Sequence, residues 1–134
     1  MKKRLLILIL LSIFIFSCED PFCIIPVEPE LPNKEFPIGS TENYYYVDLT
    51  AEINNEPRDD DYRYFFDVRG LPEGMNFFVN YRTISLEGTP EETGIFKITI
   101  FLDVDGPFGN FNNDPNTLCN FSTSKTYTLI IEEN

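Results

Sequence analysis

The sequence contains no histidine among its 134 residues. Without an imidazole, neither a Ser-His-Asp nor a Cys-His catalytic arrangement can be built, and no histidine can bind a metal ion. Carboxylates alone can form a glycosidase pair, but nothing in the sequence specifies two of them converging in one cleft. The composition therefore predicts a protein that is not an enzyme.

Basic residues are scarce. Ten Lys and Arg stand against 22 Asp and Glu, which gives a formal net charge of −12. Nucleic acids and anionic lipid headgroups repel such a surface. The charge balance therefore argues against a nucleic-acid partner and against direct adhesion to anionic headgroups.

A hydrophobic run of membrane-spanning length is also missing. The longest apolar stretch is Leu5 to Phe16, which follows the basic start Met1-Lys2-Lys3-Arg4. A transmembrane helix needs about 20 apolar residues, so this stretch is too short to be one. The order of a basic segment and then a short apolar segment predicts a cleaved export signal over residues 1–17.

The end of this signal, Ile15-Phe16-Ser17-Cys18, resembles the cleavage box of bacterial lipoproteins. The resemblance implies that Cys18 carries diacylglycerol and palmitate and becomes the first residue of a membrane-anchored protein, since two or more acyl chains make anchoring stable. It places the protein in the cell envelope, on either face of the outer membrane of a Gram-negative bacterium. A plain secretory signal is the alternative.

The predicted mature chain is more acidic than the full sequence and has two acidic residues directly after Cys18. Removing residues 1–17 takes away three positive charges, so the formal net charge goes from −12 to −15. Glu19-Asp20 resembles the acidic surface-export tag of some lipoproteins, although an ordinary acidic linker has the same composition.

Residues 18–37 are predicted to be a lipid-anchored tether. Proline recurs five times between Pro21 and Pro37. Such a segment favours an extended, semi-stiff spacer, which supplies at most an edge strand near residues 23–27. Two cysteines remain besides Cys18. An oxidising compartment allows Cys23 and Cys119 to form one disulfide, and two unpaired thiols are the alternative.

After the signal, no stretch shows a convincing helical period. Apolar and polar residues alternate from Ile95 to Val104, which is the period of a strand with one buried face. Similar runs occupy residues 44–53, 62–68, 75–79, 83–86 and 125–132. Between the third and fourth of these runs, Asn80 is expected to take the left-handed conformation of a tight hairpin. The pattern predicts an all-β domain whose apolar face is covered by a second sheet.

The central motif supports a more specific interpretation. It reads G-L-P-x-G-M, a short hairpin, L-x-G-T-P, and then G-x-F-x-I-T-I. This motif resembles the Ig-like, cadherin-like module of bacterial surface and secreted proteins, over roughly residues 36–132. The resemblance implies an Ig-like β-sandwich of about seven antiparallel strands over residues 38–134. The sequence departs from the family at Asn80, where a glycine is usual, and in the long loop between Asp105 and Ser124.

In such sandwiches the loops after the second and sixth strands lie at one end. Acidic and amide side chains would therefore crowd one pole, and their oxygens suit calcium. The candidate ligands are Asp59, Asp60, Asp61, Asp103, Asp105 and Asp114, with Asn110, Asn112 and Asn113 nearby. Asp, Asn and Gly are also the ordinary residues of long turns.

The same long loop contains Phe108, Phe111 and Phe121. Exposed aromatic rings can stack on sugars or anchor a protein partner, or they can fold back over the end of the sandwich. Three functions follow. The preferred one is a non-catalytic protein-interaction module of the cell envelope. The alternatives are a glycan-binding accessory lipoprotein and a calcium-stabilised structural component of the envelope.

Overall fold

The computed structural model describes residues 23–108 and 118–133, and in them every regular element is a strand apart from one 3₁₀ turn, Asp59–Asp61. The all-β class predicted from the alternating pattern is therefore confirmed for this part of the chain. The export signal, Cys18, Phe111 and Asp114 lie outside the described residues. The strands are β1 (Pro29–Glu30), β2 (Gly39–Ser40), β3 (Tyr45–Thr50), β4 (Glu52–Ile53), β5 (Arg63–Arg69), β6 (Met75–Asn80), β7 (Thr83–Gly88), β8 (Gly94–Asp105) and β9 (Ser122–Glu132).

These strands form three sheets. The first has the order β2-β9-β8-β5, the second has the order β3-β7-β6, and β1 pairs with β4. Every pair is antiparallel except β2 and β9, which are parallel. The expectation of antiparallel strands is therefore wrong for β2. This strand lies at the end of an N-terminal segment that starts beside Cys119 and follows β9 in the same direction.

The two larger sheets contribute to one hydrophobic core. In β8, the residues predicted to point inward are buried from Ile98 to Val104, and Phe96 is partly buried. The predicted inward residues of β9 are buried too, namely Tyr127, Leu129 and Ile131. Their polar neighbours face outward, as expected for strands with one covered face.

The predicted strand over residues 44–53 is divided in two. Ala51 is fully buried, and its backbone N–H donates to the carbonyl oxygen of Arg82 at 2.8 Å instead of to a strand partner. The chain therefore leaves the three-stranded sheet at this point, and β4 pairs with β1. The inward positions Tyr45, Val47, Leu49 and Ile53 are all buried, as the alternation predicted.

The β6–β7 hairpin corrects a detail of the prediction. Asn80 pairs with Thr83 as the last residue of β6, so the turn consists of Tyr81 and Arg82. Tyr81, and not Asn80, takes the left-handed conformation, with φ of 58°. A bulky residue adopts this conformation only when surrounding contacts hold it there. Here the Tyr81 hydroxyl donates to the carbonyl oxygen of Asp60, and its ring meets the Tyr64 ring edge-on at 5.8 Å.

Two glycines of the central motif allow the backbones of two turns to lie in close contact. Gly74 and Gly88 both have positive φ, at 83° and 140°. A Cβ atom at Gly88 would collide with the carbonyl oxygen of Gly74, and one at Gly74 would collide with that of Thr89. The motif therefore requires glycine at both positions, because any other residue would separate the two turns.

Residues 29–37 were predicted to belong to an unpacked tether, and the structure contradicts this. Pro29 and Leu31 are buried, and the Phe36 ring stacks on Tyr127 at 4.8 Å between centroids. The hydroxyl of Tyr127 donates to the Pro32 carbonyl at 2.8 Å, and that of Tyr45 to the Pro37 carbonyl at 3.1 Å. Prolines leave carbonyl acceptors exposed while removing donors, so side chains of the core can hold the segment without a strand ladder. The edge strand is Pro29–Glu30 and not residues 23–27.

The predicted disulfide between Cys23 and Cys119 is present in the structure, with 5.8 Å between the Cα atoms. The backbone N–H of Cys119 also donates to the carbonyl oxygen of Val27 at 2.8 Å. The start of the described chain is therefore fixed beside the start of β9.

Candidate functional site

Three connections meet at one end of the molecule, which we call the loop pole. They are the 3₁₀ turn Asp59–Asp61, the β6–β7 turn at Tyr81 and Arg82, and the segment after β8 that contains Phe108. The backbone N–H of Phe108 donates to the carbonyl oxygen of Asp61 at 2.8 Å. The structure therefore brings together the two acidic loops that the sequence predicted to share a pole.

At the loop pole, Arg82 faces two of the three consecutive aspartates. Its guanidinium donates to the Asp59 carboxylate and lies 3.5 Å from that of Asp60. The Tyr64 hydroxyl donates to the Asp59 carbonyl oxygen at 2.8 Å, and burial raises the pKa of this phenol. The pairing gives these carboxylates a structural role, because it joins the β6–β7 turn to the 3₁₀ turn.

The calcium prediction gains no support from the described residues. Within residues 23–108 and 118–133, no group of three or more carboxylates is placed to hold a metal ion. Asp103 and Asp105 are exposed at alternate positions of β8, and Asp105 lies opposite Arg63 of β5. Asp114 and the three asparagines lie outside the described residues, so a site that includes them stays a prediction.

The phenylalanines of the last loop have different surroundings. Phe108 is half-exposed, and the guanidinium carbon of Arg63 lies 4.1 Å from its ring centroid. Phe121 is also half-exposed, and its carbonyl oxygen accepts from the Val104 N–H at 2.8 Å. Neither ring belongs to the buried core, so both can contact another molecule. Phe111 lies outside the described residues.

A second group of aromatic and basic side chains was missed by the sequence analysis. We call it the aromatic–arginine face, and it lies on the outer side of β5 and β8 next to the loop pole. Its members are Arg63, Phe65 and Arg69 on β5, Phe101 on β8 and Phe108 in the loop. Because side chains on one side of a strand repeat every second residue, the three β5 residues share a row with Asp67, which lies between Phe65 and Arg69 and is paired with Arg69 at 3.3 Å.

The geometry of this face pairs guanidinium groups with aromatic rings at both ends of the row. Arg69 covers Phe101 at 4.8 Å from the ring centroid, just as Arg63 covers Phe108. Phe65, at 53% exposure, lies opposite Asp103, and Phe101 lies opposite Asp67, so the two rings occupy diagonal positions. Diagonal neighbours on a sheet are about 7–8 Å apart, which is within reach of aromatic side chains.

The sequence does not reveal this face because its residues come from three separate parts of the chain: β5, β8 and the loop that contains Phe108. In Arg63–Arg69, Tyr64 is buried and Phe66 and Val68 are partly buried, so Phe65 must face outward. Tyr62 and Tyr64 belong to the core. In the row Tyr44-Tyr45-Tyr46, only the central residue is buried.

Several of the few basic residues lie on the same surface. The described chain has seven Lys and Arg residues, and three of them project from the outer side of β5 and β8: Arg63, Arg69 and Lys97. The three-stranded sheet has no Lys or Arg within its strands β3, β7 and β6. Asp67, Asp103 and Asp105 project from the same side of β5 and β8, so this surface carries charges of both signs, and Arg69 is paired with Asp67.

No protein-family model matches the sequence, and no curated protein matches it significantly. Among solved structures, the chain is similar to the ASH / PapD-like domain of human CEP192 (PapD-like domain 7). The identity is 10% and the TM-score 0.48, and the match covers 88% of this chain and 91% of that one. None of the described residues forms a helix long and apolar enough to cross a membrane.

Proposed function

We propose that this chain is a lipid-anchored, Ig-like domain of the bacterial cell envelope that binds another protein through its aromatic–arginine face. It is a binding module and not an enzyme. The observation that carries the proposal is the half-exposed Phe65, on a strand face whose two arginines each cover a neighbouring phenylalanine.

The strand order supports the Ig-like part of the proposal. In an immunoglobulin-type sandwich, one sheet contains the second, fifth and fourth strands, and the other contains the seventh, sixth and third. The order β3-β7-β6 matches the first set, and β9-β8-β5 matches the second. Two short strands then take the place of the first strand of such a sandwich. They are β1, which pairs with β4, and β2, which pairs with β9.

The composition of the face favours a protein as the ligand. Aromatic residues and arginine are enriched at protein interfaces, because they bury a large area and retain a polar group that can pair. The face lies on two paired strands, whereas small-molecule sites are concave and mostly apolar. A relatively flat surface of this kind fits the side of another folded protein.

A glycan ligand is the second candidate, since an exposed ring such as Phe65 can stack on a sugar. The two arginines argue against it. They cover one side of the Phe101 and Phe108 rings, which leaves fewer free ring faces for stacking. The calcium-stabilised structural component is the third candidate and requires a cation group that includes Asp114.

The anchoring part of the proposal depends on Cys18 and the basic and apolar segments that precede it. Acyl chains on Cys18 would hold the domain at a membrane, consistent with the outer membrane of a Gram-negative bacterium. The mass of the mature protein from a bacterial host tests this directly. An unmodified Cys18 would overturn the anchoring but leave the interaction face untouched.

The interaction face is tested by site-specific photo-crosslinking in intact cells, with a benzophenone amino acid placed at position 65 or 78. Phe78 is the matched control, because it is 57% exposed and lies on β6 of the other sheet. A discrete protein adduct at position 65, absent at position 78 and reduced at least tenfold by Arg69→Ala, is expected. Equal adducts at both positions would contradict the proposal. A glycan-array signal lost on Phe65→Ala would favour the glycan instead.

A further inference from the structure

Three strongly exposed apolar side chains surround the point where the chain enters the described domain. Ile24 is 88% exposed, Ile25 is 64% exposed and Phe121 is 48% exposed. The first two follow Cys23 directly, and Phe121 comes two residues after Cys119, to which Cys23 is bonded. We call these three residues the apolar rim. Neighbouring apolar side chains that remain exposed are found at contacts with other proteins and with membranes.

The rim is fixed to the fold and cannot swing away from it. Beyond the disulfide, three consecutive carbonyl oxygens of the N-terminal segment accept hydrogen bonds from the domain. Pro26 accepts from the Asn55 side chain at 2.8 Å, Val27 from Cys119 at 2.8 Å and Glu28 from Asn54 at 2.9 Å. Phe121 is held by its bond to Val104 at the end of β8. The rim therefore has a defined position at the loop pole.

The length of chain outside the structure determines what can reach the rim. Only five residue steps separate Cys18 from Cys23. Since an extended chain spans at most about 3.6 Å per residue, the acylated cysteine lies within roughly 18 Å of the disulfide. An acyl chain at Cys18 would thus hold the rim beside the membrane at all times.

We propose that the apolar rim is a membrane-contact surface, on which Ile24, Ile25 and Phe121 insert into the lipid–water interface. The inference rests on the acylation of Cys18 proposed above. Because the anchor already holds the domain at the bilayer, three apolar side chains are enough to select one orientation. The loop pole then faces the lipid, and the strand residues of the aromatic–arginine face, on β5 and β8, point sideways along the membrane.

The charges near the apolar rim determine which lipid headgroups it can contact. Asp59 and Asp60 at the loop pole are paired with Arg82, but Asp103 and Asp105 are exposed close to Phe121. These carboxylates oppose anionic headgroups, so the contact is apolar and takes zwitterionic lipid. Added salt should leave it unchanged.

A single tryptophan tests the contact cleanly, because the natural chain contains none. The variants Ile24→Trp and Phe121→Trp place the fluorophore in the rim. Ile95→Trp is the matched control, since Ile95 is 70% exposed near the opposite end of β8. Each acylated variant is reconstituted in phosphatidylcholine vesicles with and without brominated acyl chains. The same variants without residues 1–17 and with Cys18→Ser serve as references that carry no lipid anchor.

For both rim variants, reconstitution should shift the tryptophan emission to the blue by about 10 nm or more, and brominated lipid should quench it at least twofold. The control should change in neither respect. Rim variants that behave like Ile95→Trp while mass analysis shows full acylation would overturn the orientation but not the anchoring. Absence of acyl chains on Cys18 would overturn both. Circular dichroism of each variant verifies that it remains folded.

Discussion

Two buried tyrosines join the core to the N-terminal segment. Tyr45 and Tyr127 are almost fully buried, and their hydroxyls donate to the carbonyl oxygens of Pro37 and Pro32, respectively. Burial disfavours the phenolate, which raises the pKa of both residues from 10.0 to about 12. At the residue scale, the protonation of these two hydroxyls is therefore coupled to the packing of the core against residues 29–38.

This linkage predicts a loss of stability between pH 10 and 12. The unfolded chain releases both phenolic protons near pH 10, whereas the folded chain keeps them until about pH 12. The unfolded state then binds fewer protons, so the free energy of unfolding falls as pH rises, by about 2 kcal/mol per tyrosine. Urea titrations at several pH values should show a shallower fall for Tyr45→Phe and for Tyr127→Phe. Tyr46→Phe, at an exposed position, is the control, and an equal fall in all four proteins would refute the linkage.

At the element scale, the segment over residues 29–38 substitutes for a longer first strand. It contains one short strand, β1, ends directly before β2, and is otherwise held by Leu31, by the stacked Phe36 and by side-chain hydrogen bonds. The Lys125 ammonium adds a hydrogen bond to the Leu31 carbonyl oxygen. Proline-rich sequence therefore does not prevent packing when the partner strands supply the donors.

Leu31→Ala tests the importance of this segment. Leu31 is fully buried, so truncation should lower the free energy of unfolding by about 3 kcal/mol, through lost transfer energy and the cavity left behind. Ile38→Ala removes similar atoms from an exposed position of the same segment and should change stability by less than about 0.5 kcal/mol. Chemical denaturation of both variants makes the comparison. If Leu31→Ala is as stable as the control variant, the segment does not contribute to stability, and the prediction of an unpacked tether would be correct.

At the scale of the whole molecule, the disulfide connects the start of the described chain to the start of its last strand. Cys23 and Cys119 are separated by 96 residues, so the bridge constrains nearly the entire domain. It also fixes the position of the apolar rim, on which the proposed orientation at the membrane depends. The disulfide therefore both constrains the fold and positions the apolar rim.

Removing the disulfide should be costly. In the chain-entropy model, a loop of this length contributes about 4 kcal/mol, and measured effects are often smaller. The variant Cys23→Ser/Cys119→Ser, made with Cys18→Ser to exclude new pairings, should melt about 10–15 °C below the protein that retains the bridge. Reducing the parent protein should produce a similar shift. If both treatments leave the melting temperature unchanged, the bridge does not stabilise the fold.

Local patterns in the sequence determined much of the fold. Alternating apolar residues fixed the inward faces of β3, β8 and β9, because a period of two forces every second side chain into the core. The glycines of the central motif marked the turns, since Gly74 and Gly88 approach backbone atoms too closely for a Cβ. The cysteine count allowed one bridge, and the basic and apolar start led to the anchoring prediction.

Only the tertiary structure decided which side chains meet across elements. Nothing local in Tyr81 favours positive φ, and its conformation depends on Asp60 and Tyr64 elsewhere in the chain. The packing of Leu31 and the pairing of Arg82 with Asp59 and Asp60 likewise join distant residues. The aromatic–arginine face forms for the same reason, because its residues on β5, on β8 and in the loop with Phe108 become neighbours only when these elements pair.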